Sequence, residues 1–113
     1  MAIVTLAPIG TAVGIALTDL MPAVPAGKAE TMDVRVCNVG AADSTIGLYM
    51  VDTVTGANSH YVWRNEPVPF NQEGSGFDLE RGLELPAGWK LQGIAGSAAT
   101  LEISLRNRRR RDA

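Results

Sequence analysis

Apolar and polar side chains alternate along most of this chain with a period of two. In "AETMDVRVCN" Met32, Val34 and Val36 alternate with Thr31, Asp33 and Arg35, the pattern of a strand wet on one side. In "TIGLYMVD" Ile46, Leu48 and Met50 share one face while Tyr49 and Val51 take the other. "SHYVWRN" and "WKLQGIAG" read as further strands. In "ATLEISLRN" Leu101, Ile103 and Leu105 point inward, with Thr100, Glu102 and Ser104 outward. Near the start, Val13, Ile15 and Leu17 alternate with Ala12, Gly14 and Ala16, giving one large and one small face. The small face would let another backbone approach closely. No long window keeps a helical stripe. The pattern predicts an all-β chain, an antiparallel β-sandwich or jelly roll of about seven to nine short strands.

Turn chemistry supports that division. "VPAGKAE" and "LPAGWKL" each suit a type I turn, with Pro25 and Pro86 at the second position and Gly27 and Gly88 at the fourth. "NEPVPFNQEGSGFDLERG" is the longest candidate loop. The chain divides into an apolar N-terminal strand or arm over 1–22, part of the same unit, a sandwich over 23–105, and an Arg-rich tail over 106–113. A chain of 113 residues can bury a core without disulfides or metals. The first apolar stretch lacks a basic leader, contains Pro8, Gly10 and Gly14, and stops at Asp19 short of a bilayer span. It is expected to be strand, with no membrane partner.

Charge is distributed unevenly. The net charge is −2, yet the final "RNRRRRDA" holds five arginines and one aspartate, a net of +4, which leaves −6 on residues 1–105. An acidic body repels phosphates, so sequence-specific nucleic-acid recognition is not expected. Charged residues are only 19% of the chain. Such a thin charged coat points to cover by another subunit, although twelve glycines and many alanines also dilute it.

Chemistry-bearing residues are few. Cys37 is single and cannot form an intrachain disulfide. His60, the one histidine, sits in a strand pattern far in sequence from Cys37 and forms no nucleophile pairing. "GSG" at 74–76 lacks the lysine of a phosphate loop. Asp78 and Glu80, two apart, would face one way on a strand and could share a cation or act as an acid/base pair, with Glu73 in the adjoining loop. The plainer reading gives them, like Asp43 and Asp52, a solvated face. No catalytic residue, metal ligand or cofactor is expected. Tyr61 and Trp63 share a strand face by spacing, beside Arg64 and a loop with Phe70 and Phe77. Either they fill the core, or they form a recognition face for protein or sugar.

"VPAGKAETMDVRVCNVGAADSTIGLYMVD" followed by "ERGLELPAGWKLQGIAGSAATLEISL" resembles the small β-sandwich virion structural proteins of tailed bacteriophages, the decoration and head or tail accessory proteins. In that group a Pro-Ala-Gly turn leads into a strand ending V-x-V-C-N, a short variable insert follows, and a late Ala-Gly turn precedes the final strand. The match spans roughly residues 24 to 105. The resemblance implies a non-enzymatic virion component, made in the host cytoplasm, that binds major capsid or tail proteins; a capsid decoration or stabilising protein comes first. The arginine-rich end departs from the group. Other readings are a receptor- or glycan-binding module of a tail or fibre, and a small enzyme on a sandwich scaffold. Arginine forms bidentate pairs with carboxylates. Arg106, Arg108, Arg109, Arg110 and Arg111, with apolar Val13 and Ile15, are therefore the expected contacts of a homo-oligomer, a trimer first, in which tail and N-terminal strand lie across a neighbour.

Overall fold

A computed structural model describes residues 3–40, 42–70, 76–96 and 101–113. Among them the chain forms nine strands and no helix: β1 Val4–Thr5, β2 Ile9–Val13, β3 Thr18–Asp19, β4 Lys28–Asn38, β5 Ser44–Asp52, β6 His60–Val68, β7 Phe77–Leu85, β8 Trp89–Ala95 and β9 Leu101–Asp112. Thr100, Glu73 and the first two residues of "GSG" lie outside the described residues.

The strands pair as one long antiparallel ribbon folded over on itself. β5 pairs β6, β4 pairs β7, β3 pairs β8, and β2 pairs β9. The ribbon then rolls so that β9 joins β4 and β8 joins β5. This gives one sheet in the order β1/β2-β9-β4-β7 and a second in the order β3-β8-β5-β6. That is a jelly roll, an all-β antiparallel sandwich.

Alternation places the core between the sheets. Met32, Val34 and Val36 from β4, Ile46 and Leu48 from β5, Leu91 from β8 and Leu101, Ile103 and Leu105 from β9 are all buried. Gly93 lets the layers meet, since a Cβ there would stand 2.8 Å from Ile103 Cδ1. Val13 is 1% exposed and belongs to this core. The large face of the first alternating stretch therefore ends inside its own fold at Val13, while Ile15 and Leu17 remain exposed on the crossing from β2 to β3.

Three local expectations change. Residues 106–112, read as part of a separate tail, are the second half of β9 and pair with both β4 and β1. The long loop shrinks, because β6 continues to Val68 and β7 begins at Phe77. The two Pro-Ala-Gly turns are also shifted by one residue. Lys28 N donates to Pro25 O and Trp89 N to Pro86 O, so Gly27 and Gly88 occupy the third position with φ of 75° and 84°. A positive φ there is the mark of a type II turn, which glycine enters at no steric cost.

Aspartates fasten the connections. Asp52 accepts hydrogen bonds from Thr55 Oγ1 at 2.5 Å and from the Val54 and Thr55 amides, and the Thr55 hydroxyl chiefly holds its carboxyl below the ordinary range. Asp33 is lowered by Asn107 and the Gly82 amide. Asp78 is lowered first by Arg81 and then by Arg35. Depressed folded-state values mean stability that is complete above about pH 4 and lost as pH falls further and these groups protonate. Thermal melts from pH 7 to pH 2 should hold level to about pH 4 and then fall. Asp33→Asn with Asp78→Asn should lower the neutral plateau and flatten the acid limb.

Candidate binding surfaces

The arginine-rich half of β9 is where sequence and structure differ most. Along β9 the outward residues Glu102, Ser104 and Arg106 alternate with buried Leu101, Ile103 and Leu105. At Asn107, φ is 52°, and the β4 register slips between Thr31 and Asp33. This bulge reverses the alternation, so that Arg108 turns inward. Its side chain is 8% exposed, and Nη2 lies 3.1 Å from Oε1 of Glu30, itself 1% exposed. Arg108 Nη1 donates to Ala7 O at 2.9 Å. Arg110 donates through Nε and Nη2 to the other carboxylate oxygen, Oε2, at 3.1 and 3.0 Å. One buried carboxylate thus serves two guanidiniums and joins β4, β9 and the N-terminal segment.

The remaining arginines take separate roles. Arg111 pairs with Glu84, and Lys28 meets Asp112 at 2.5 Å. Arg106 and Arg109 are exposed on the outer side of the sheet and have no carboxylate partner among the described residues. Arg106 stands beside Asp33 in the register, but Asp33 is occupied by Asn107 and the Gly82 amide. The guanidinium instead lines an open notch at the sheet edge with Thr5, Leu6, Pro8, Ile9, Gly10, Ser104 and Asn107.

The aromatic cluster is divided by bulges. Tyr49 pairs with Tyr61 and Leu48 with Trp63, so β6 carries an extra residue between them. Tyr61 consequently faces outward, 4.7 Å from the Tyr49 ring with Arg64 5.2 Å above it. Trp63 turns toward the core and donates Nε1–H to Glu80 Oε2 at 3.0 Å, bridging the edge strands of the two sheets. Tyr61 and Trp63 therefore do not form one recognition face. Phe77 packs against the core, and Phe70 is exposed at the end of the slab. The Tyr61 ring lies over Gly47, whose missing side chain makes room for it, in a shallow dish with Thr45, Arg64, Asn65 and Ile94.

A separate register slip between β4 and β7 divides Asp78 from Glu80. Asp78 faces out to Arg35 and Arg81, whereas Glu80 turns to Trp63. Their shared-face geometry does not form. His60 donates Nδ1–H to Asn58 O, 2.8 Å away, and Cys37 is half-buried. No group of three or more metal-ligating side chains lies together among the described residues.

Four large apolar side chains stay exposed on connections at one end of the slab: Ile15 and Leu17 between β2 and β3, Val39 after β4, and Phe70 after β6. Beneath them buried Asn38 donates to Ala42 O and Val68 O at 2.8 and 3.0 Å, fixing two of these connections to each other. Asp43 holds the Phe70 amide at 2.8 Å.

Comparison with protein families, curated proteins and solved structures finds no match for this chain.

Removing the Glu30 carboxylate would leave two arginines uncompensated, one of them buried. Glu30→Gln should destabilise the fold by about 3–5 kcal/mol in urea unfolding. Replacing Glu30, Arg108 and Arg110 together by apolar residues of similar volume should cost less than the single change.

Proposed function

We propose that this chain is a non-enzymatic structural protein of a virus-like particle, most simply a decoration or stabilising protein of a phage capsid that attaches through protein contacts. One observation carries the reading: Ile15, Leu17, Val39 and Phe70 are presented at one end of a slab whose connections are hydrogen-bonded in place. Apolar side chains gathered on one end and rimmed by polar groups mark a protein contact surface. The slab measures 45 × 29 × 16 Å, a flat shape that can cover a shell with much contact area per copy. Binding only to the folded, assembled state stabilises that state by mass action. The resemblance of residues 24–105 to phage virion proteins supports the same reading, and the jelly roll is an architecture that viral capsid proteins use.

The glycan- or receptor-binding alternative has one specific feature in its favour, the outward Tyr61 ring with Arg64 and the floor of Gly47. Copy number separates the two. Quantitative mass spectrometry of purified particles from the strain that carries the gene should find this chain in numbers comparable to the major shell protein. A handful of copies per particle supports the appendage reading, and absence from particles overturns both. Ile15→Glu with Phe70→Glu should abolish incorporation while the melting temperature of the isolated chain changes little.

A further inference from the structure

We infer that the hollow over Gly47, on the outer face of the second sheet, binds a carboxylate-bearing sugar unit, with Arg64 taking the carboxylate and Asn65 and Thr45 the ring hydroxyls. Gly47 sits in the middle of β5 and pairs with Ile94 of β8. An interior glycine weakens a strand and marks a place that other groups approach closely. Here a Cβ would stand 2.9 Å from Ile94 Cγ2 and 3.2 Å from Tyr61 Cε1, so the missing side chain keeps the floor low.

On the other side of β5 the edge strand β6 is bulged. Ile46 pairs with Glu66 and Leu48 with Trp63, which leaves two residues, Arg64 and Asn65, opposite the one glycine. Asn65 takes a φ of 55°, a left-handed conformation that asparagine enters more readily than most residues. Both side chains are exposed. With Thr45 and Ile94 they wall a hollow of about 170 Å³, room for one sugar ring. A Cβ at Gly96 would collide with the Thr45 hydroxyl, so that rim also stays open through a glycine.

The polar groups around the hollow are uncommitted. Among the described residues no carboxylate pairs with Arg64, and the side chains of Thr45 and Asn65 bond to no protein group. The Arg64 guanidinium lies 5.2 Å over the Tyr61 ring, which holds it in place while leaving its N–H groups to grip a carboxylate bidentately. An amide and a hydroxyl both donate and accept, as sugar hydroxyls do. Ile94 and the edge of Tyr61 offer apolar surface to the ring C–H groups. No carboxylate lines the hollow to repel an anion. An acidic peptide side chain would use Arg64 and leave Asn65 and Thr45 idle, so the full set of groups favours the sugar. The site builds on the outward Tyr61 noted above and needs no choice between shell and appendage, since binding is measured on the isolated chain.

The test is NMR titration of the full chain with the methyl glycosides of glucuronic, galacturonic and sialic acids, each against its uncharged methyl ester. At least one acid should shift the Gly47 and Asn65 amide signals with a Kd of about 1–10 mM, the range of a single small unit. Its ester, acetate, inorganic phosphate and triglutamate should each bind at least about tenfold more weakly. Arg64→Gln should weaken the acid by about tenfold and leave its ester unchanged. Asn65→Gly, which keeps the backbone conformation, should weaken both acid and ester. Melting temperatures of the two variants should stay close to that of the unmodified chain. Absence of shifts at Gly47 and Asn65 with every acid at about 50 mM, far above that Kd range, overturns the inference. So does acetate, phosphate or triglutamate binding as tightly as the sugar acid, or an Arg64→Gln variant that binds it unchanged. Each of these results leaves the copy number on particles, and the reading drawn from it, untouched.

Discussion

Glu30 is the point on which the closed end of the first sheet depends. It rises from β4 into the space between the sheets, where a lone carboxylate would be strongly disfavoured, and two arginines from β9 meet it. That arrangement needs β9 to continue as a strand past Asn107 and to reverse its faces there. Arg108 in turn holds Ala7 O, so the N-terminal segment is fixed along the outer edge of β9. The first and last parts of the chain are thereby bound into one sheet. A polar cluster of this kind adds little net energy compared with an apolar core, but it leaves few alternative registers in which every charge is matched.

Bulges set the surface chemistry of this protein. An extra residue in β6 sends Tyr61 out and Trp63 in. Register slips between β7 and β4 separate Asp78 from Glu80, and the break at Asn107 buries one arginine of a run while exposing the next. The bulges also interrupt the edge strands β6 and β7.

The distribution of apolar surface follows from the same architecture. A jelly roll sends the connections β2–β3, β4–β5, β6–β7 and β8–β9 to one end, and it is there that Ile15, Leu17, Val39 and Phe70 emerge. The opposite end carries the two Pro-Ala-Gly turns, which share one backbone geometry and run into β4 and β8, neighbours of the central β9 and β5. The turn end is closed by turn chemistry and ion pairs and carries exposed Val54 beside Gly88, and the other end presents four hydrophobic side chains on a fixed frame.

Much of this was readable in the chain as written. Alternation at Met32, Val34 and Val36, at Ile46 and Leu48, and at Leu101, Ile103 and Leu105 determined which side chains form the core, because a strand's faces follow from counting in twos. That counting, with the turn residues, also determined the all-β class. It could not place the arginines. Whether Arg108 is solvated or buried depends on Glu30, 78 positions earlier, and on a bulge that arises only when β9 is laid against β4. The same holds for Trp63, whose partner Glu80 lies on another sheet. Local sequence fixes the period of a strand, but only the register of its neighbours decides where that period is interrupted, and Arg108, Tyr61 and Trp63 sit at those interruptions.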